Sequence, residues 1–308
     1  MQVTLQNSIL ITLAYFDQFS HPLTGPELYR ALWQPPTTSW LEFLDTLKIL
    51  VSEKKIVQEQ AFYFLPNNQK VVVMRAANFL VREKKLRLAR RLARWLALVP
   101  FIQGVFVCNT VAAGWPKENS DIDLLVIIKP GRLWFTRAVF TLVTSLLNRR
   151  RHGTAIADHL CLSFYVTAPA FNLQTIRIAA PDIYLVFWLQ TLVPLYVEDD
   201  VLSEFLTSNA WIKEYTPQAE TKPRFQNMSV PNGIAIKIKK NIERVLGQRF
   251  GNWLEKKAKQ YQLVRIEKKP HQPAPQVVIS DTMLKFHEAD RREQYQTAWI
   301  KKCQSLGL

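Results

Sequence analysis

IQGVFVCNTVAAGWPKENSDIDLLVIIK, residues 102–129, decides how this chain folds. An apolar run (Val105, Phe106, Val107) leads into a turn of small residues, Ala112, Ala113 and Gly114. A polar loop from Pro116 to Ser120 follows, and Asp121-Ile122-Asp123 then opens a second apolar run, Leu124 to Ile128. A continuous aliphatic and β-branched run of that length predicts a strand buried on both faces. Side chains two apart on a strand point to the same side, so Asp121 and Asp123 present two carboxylates together at the mouth of a buried sheet. Like charges that close repel, and a divalent cation between them is the usual remedy. The competing reading of Asp-x-Asp is a solvated strand edge.

Beyond this stretch, Lys129-Pro130-Gly131-Arg132 turns the chain into a helix predicted over Leu133 to Leu147. An exposed basic turn, Arg149 to Gly153, precedes Asp158 to Thr167, which reads as a further buried strand. Asp158 is the only acidic residue there, and His159 beside it reads as a strand-edge residue. Ala179 to Val197 predicts one packed helix, with Pro181 near its start. Residues 216 to 232 predict a loop, and a basic helix is expected from Ile234 through Gln262. Residues 267–276 (EKKPHQPAPQ) read as a flexible linker, followed after Ser280 by a short strand and a terminal helix.

On the amino-terminal side, residues 71–99 are the most basic helix candidate, a connector with apolar and Lys/Arg positions interleaved. Ahead of it lie a helix over residues 7–20, with Asn7 or Ser8 as cap, and a second helix opened by a Thr24/Glu27 capping box. A third helix starts at Thr38 or Ser39, and two β-like runs occupy 55–58 and 61–65. Three helices and a hairpin are the order of a winged helix. The segment carries 4 basic against 6 acidic residues, which points to a structural or dimerising role rather than DNA reading.

At Asn109-Thr110, the intervening Val111 to Ser120, and Asp121 with Asp123, the sequence resembles the DNA polymerase beta-type nucleotidyltransferase superfamily. Its usual signature is Gly-Ser, a gap of similar length and Asp-x-Asp on a strand. Asn109 stands where glycine is usual, and Ala112 and Gly114 stand where many members carry small residues. The resemblance to the catalytic core spans residues 99–170. It implies an α+β fold: a nucleotidyltransferase core (99–200) with a mixed β-sheet and flanking helices. A winged-helix-like domain (1–66) and a basic connector helix (67–98) precede that core, and a basic, mostly helical region (201–308) follows it. The implied chemistry is transfer of a nucleoside monophosphate from a nucleoside triphosphate to an acceptor, with Mg²⁺ or Mn²⁺. Asp121 and Asp123 are the implied metal ligands and catalytic residues. Asp158 is the candidate third carboxylate, with Ser163 the alternative occupant of that place. Asn109, Thr110, Gly114 and Ser120 are the implied nucleotide-binding residues, and Lys117, Lys129 or Arg132 would neutralise the leaving pyrophosphate. The alternative is a catalytically inactive core of the same type that binds nucleic acid through its basic helices.

Composition narrows the setting. An apolar content of 48% with 21% charged residues excludes a disordered chain, and 308 residues allow two or three domains. The longest apolar stretches are too short and too interrupted to span a bilayer, and no basic region precedes the first apolar run. Cys108, Cys161 and Cys303 form neither a zinc nor a disulfide spacing, which fits a reducing cytoplasm, with Cys108 and Cys161 read as ordinary buried thiols. The net charge of +15 is uneven: 9 basic against 1 acidic residue over 67–98, 8 against 7 over 99–199, and 19 against 11 over 200–308. Such segregation suits a polyanionic partner, nucleic acid first and anionic lipid second, or a solvated basic face.

Overall fold

A computed structural model describes residues 3–66, 70–219, 233–267, 277–286 and 290–308. The first unit runs α1 (Leu5–Asp17), β1 (Leu23–Thr24), α2 (Gly25–Ala31), α3 (Trp40–Ser52), β2 (Val57–Glu59) and β3 (Phe62–Phe64). Its strands form a sheet of order β1-β3-β2. The expected Thr24/Glu27 capping box opens α2, and α3 starts at one of its two expected caps, Ser39, where the structure adds a second box with Glu42. The cap of α1 is Thr4 rather than Asn7 or Ser8, because Ser8 is buried and donates its hydroxyl to Trp33 O at 2.8 Å.

The long helix α4 (Val71–Leu96) leads to β4 (Ile102–Val107), the short helix α5 (Asn109–Ala113), β5 (Ile122–Ile128), α6 (Leu133–Leu146) and β6 (Leu160–Val166). Next come α7 (Ile183–Thr191), β7 (Val193–Val197) and α8 (Asp199–Ser208). The remaining elements are α9 (Gly233–Leu246), α10 (Arg249–Glu267), β8 (Val278–Ile279), β9 (Met283–Lys285) and α11 (Arg292–Ser305). One mixed, six-stranded sheet of order β7-β4-β5-β6-β9-β8 organises this part, with β5 and β6 parallel and the other pairs antiparallel.

The central β5 is covered on both sides, as its unbroken apolar run requires. Leu124, Val126 and Ile128 face the cluster built with α4 and α6, whereas Leu125 and Ile127 face the cluster built with α7 and α8. Helix α7 is apolar all round because it serves two cores. Ile183, Val186 and Phe187 pack with α1–α3 and α11, and Leu185, Trp188 and Leu189 pack on the sheet.

Three sequence expectations change. The helix expected over Ala179–Val197 ends at Thr191, and its last residues form β7. A continuous apolar run carries no periodicity to separate the two states. Pro194 is tolerated because β7 is an edge strand, where a missing N–H breaks no inner ladder. The turn expected at Ala112–Gly114 is the end of helix α5. The basic helix expected over Ile234–Gln262 is two helices, since the end of α9 folds onto Gly251, where an added Cβ would lie 1.5 Å from Leu246 O. The expected linker at 267–276 lies, beyond Glu267, outside the described residues, as does the expected loop from residue 220 to 232.

Candidate functional site

Strand pairing brings the carboxylates together. The Cys108 N–H donates to Asp123 O at 3.0 Å, and the Ile122 N–H donates to His159 O at 2.8 Å. The start of β5 is thereby held between the end of β4 and the start of β6, with Asp123 level with Cys161 across the parallel pair. Asp121, Asp123 and Cys161 each offer a ligand atom, all within 4.8 Å of one another. Asp121 and Asp123 are the pair expected from the sequence. Cys161 is the unexpected third member. Its apolar neighbours suggested an ordinary core thiol, and only the β5–β6 register places it beside the acids.

The electrostatics of this cluster are unfavourable without a positive charge. Burial pushes the Asp123 carboxyl up to about 6, and the Asp121 charge adds to the rise. Hydrogen bonds from Asn109 and Cys161 and the charge of Arg151 oppose it only in part. The Cys161 thiol is pushed up to about 12, first by burial and then by Asp123. Asp121 is better compensated, since Arg151 Nη1 donates to its Oδ2 at 2.7 Å. Two carboxylates with a thiolate fit Zn²⁺, and the carboxylates alone fit Mg²⁺ or Mn²⁺.

Asn109 explains its own presence. Its φ of +55° lies in the left-handed region, which asparagine enters more readily than most residues. The side-chain amide reaches in two directions, bonding the Asp123 carboxylate and accepting from Trp188 Nε1 at 2.7 Å. Gly114 closes α5 at a φ of +104°, and a Cβ there would sit 2.9 Å from His21 Cε1. The N–H groups of Gly114 and Trp115 both donate to Thr110 O at 3.0 Å, so these two donors of the turn are spent within α5.

The other expected residues divide. Asp158 does not join the cluster: its carboxylate lies 2.7 Å from Lys85 Nζ and 3.5 Å from Lys84 Nζ. Burial raises its carboxyl, but the bond and charge of Lys85 outweigh this and hold it below the usual range. Ser163, the alternative, is buried two residues past Cys161 and accepts from its thiol at 3.4 Å. Ser120 and Lys117 stay in the loop before Asp121, where the Ser120 hydroxyl donates to Lys117 O at 2.9 Å. Arg132 follows the far end of β5, about 20 Å away along the strand. It donates to Gly247 O at 2.9 Å and stacks over Phe101. Lys129 shares that far end, so neither faces the cluster.

Lys85 is the positioning residue that the sequence concealed. It is 1% exposed, and its ammonium donates to Glu118 O (3.0 Å), Ser120 O (2.7 Å) and Asp158 Oδ1 (2.7 Å). Three donors meet three acceptors. Arg82, one turn earlier, donates to Val111 O and Ala112 O at the end of α5. A cavity of about 150 Å³ opens on the α7 face of the sheet, lined among others by Asn109, Phe164, Tyr184, Trp188 and Arg291. Its floor carries the buried ion pairs of Asp290 with Lys285 (2.9 Å) and Arg292 (2.8 Å). Comparison of the sequence with protein-family models and with curated proteins finds no match in either.

Proposed function

We propose that this chain is a divalent-cation-dependent nucleotidyltransferase of the polymerase beta type, with Asp121 and Asp123 at its centre. One observation carries the reading: two half-buried carboxylates and a thiol converge within 4.8 Å on adjacent parallel strands. Winged-helix character of residues 1–66 belongs to the same reading, supported by the order helix, strand, two helices, hairpin.

When bound, the cation would neutralise triphosphate oxygens and polarise the α-phosphorus. Asp121 and Asp123 would hold it. Arg151 lies beside Asp121 and can turn to the phosphates once the carboxylate has a cation. Asn109 ties Asp123 to the aromatic cavity, whose Phe164 and Trp188 walls suit a flat ring. In the transfer, an acceptor hydroxyl oxygen bonds to the α-phosphorus while the bond to the β-bridging oxygen breaks and pyrophosphate leaves. The hydroxyl proton goes to water, since Asp158 is spent on Lys85 and, among the described residues, the cluster holds no third carboxylate. Lack of a positioned base costs roughly 100-fold or more in rate. The substitution C161D is therefore expected to raise turnover by about that factor.

The test is the Mg²⁺- or Mn²⁺-dependent shift in thermal midpoint on adding ATP, CTP, GTP or UTP, with labelled-nucleotide transfer as the second readout. Loss of both in D123A supports the proposal; equal transfer by D123A and the unaltered chain ends it. A second reading, a non-catalytic core, is favoured by the Arg151–Asp121 pair, which supplies a cation from within the chain. Nucleotide shifts that ignore the divalent cation would select it.

A further inference from the structure

We propose that α9 and the outer side of α10 form a docking surface for an anionic lipid bilayer, a role separate from the nucleotidyl-transfer reading. The argument starts from how α9 divides its circumference. At 100° per residue, Ile234, Ile238, Ile242 and Val245 fall within about 80° of arc. These four are 69%, 55%, 41% and 65% exposed. Lys237, Lys240 and Arg244 lie together on the adjoining outer arc, all exposed. The third arc faces the protein, where Lys239 donates to Ile102 O at 2.5 Å and Glu243 accepts from the Phe101 N–H at 2.6 Å.

Helix α10 continues the arrangement. Glu255 turns inward and accepts from the N–H groups of Trp134 and Phe135, at 2.9 and 2.8 Å. Outward stand Phe250, Trp253, Tyr261 and Val264, interleaved with Lys256 and Lys257. The rings of Phe250 and Trp253 stack at 5.9 Å. Glu243 and Glu255 are thus spent on backbone donors, while lysine, arginine, aliphatic and aromatic side chains face solvent. An aliphatic stripe beside a basic arc, with tryptophan and tyrosine next to it, matches the headgroup region of a bilayer.

Complementarity selects the lipid over its competitors. Nucleic acid would engage the lysines and stack on the aromatic rings but leave four aliphatic side chains in water. A second copy would bring the same basic arc against itself in a chain of net charge +15. A negative bilayer surface satisfies both arcs at once. No described helix is long and apolar enough to cross a membrane, so the contact is one of lying on the surface.

The experiment is co-sedimentation of the full chain with vesicles of phosphatidylcholine containing a quarter phosphatidylglycerol, against pure phosphatidylcholine. Partition is expected to be at least about tenfold stronger on the anionic vesicles and to weaken as salt rises. I238D/I242D should lower it by about tenfold or more, and K237Q/K240Q by roughly 30-fold. Hydrogen exchange on the unaltered chain gives a second readout in case a variant misfolds: vesicles should protect α9 and α10. Equal partition on neutral vesicles, no protection, or stripe variants that bind as the unaltered chain does would overturn the proposal. So would duplex nucleic acid binding that needs Lys237 and Lys240 but ignores the stripe, without vesicle binding. A concentration-dependent dimer abolished by I238D/I242D, again without vesicle binding, would assign the surface to a second copy.

Discussion

Helices α4 and α9–α10 are both rich in lysine and arginine, yet they spend that charge in opposite directions. On α4, Arg75, Arg82 and Lys85 turn inward: Arg75 pairs with Glu27 at 2.6 Å, and Arg82 and Lys85 hold the backbone around the candidate site. On α9 and α10, Glu243 and Glu255 turn inward, and most of the bases stay outside. A run of basic residues therefore supplies architecture through the inward bases of α4 and an exposed surface on α9 and α10. A buried ammonium is retained only where enough acceptors repay its desolvation, and Lys85 has three.

The largest effect expected from this contrast is at Lys85. Lys85→Met strands the Glu118 and Ser120 carbonyls and the Asp158 carboxylate, at a cost of about 4 kcal/mol by urea unfolding. A loss under 1 kcal/mol would mean that the α4 charges are no more structural than those of α9. Asp158→Asn comes next, at about 3 kcal/mol, because it removes the charge facing the buried ammonium. Its pH signature follows from the lowered carboxyl. The stabilisation is present above the ordinary carboxylate range and is lost as pH falls through the folded value. A variant that keeps its stability but loses nucleotidyl transfer would make Asp158 a ligand instead.

Asp123→Asn goes the other way. With its folded value near 6, Asp123 binds a proton that the unfolded chain has released, so the stability of the unaltered protein should fall as pH rises from about 4 to about 6 and then level off. The variant should gain about 2 kcal/mol at pH 8 while losing any cation-dependent nucleotide shift. No gain at pH 8 would mean the cluster is not strained. The smallest effect belongs to K237Q/K240Q, expected within about 0.5 kcal/mol of the unaltered chain by the same unfolding measurement. A loss above 2 kcal/mol would collapse the contrast between the two basic regions.

Much of this architecture was legible before any coordinates. The β5 run, the Asp121/Asp123 pair, the Thr24/Glu27 capping box and the start of α4 at Val71 follow from local pattern. Local pattern failed where the deciding contact is distant. β7 looks helical until β4 pairs with it, Cys161 looks inert until β5 and β6 come into register, and Lys85 looks like one more surface base until it meets Ser120 and Asp158.

By itself the sequence determined an α+β chain, the paired acids at the mouth of a buried strand and the concentration of positive charge in two stretches. Spacing and composition are properties of neighbours along the chain, and these features depend on nothing else. Only the tertiary structure decided which charges are consumed, that a thiol rather than Asp158 completes the cluster, and that the aliphatic stripe of α9 is exposed among the described residues. Each of those outcomes depends on packing between segments far apart in the chain. Burial then changes the energy of a charge by more than its identity does.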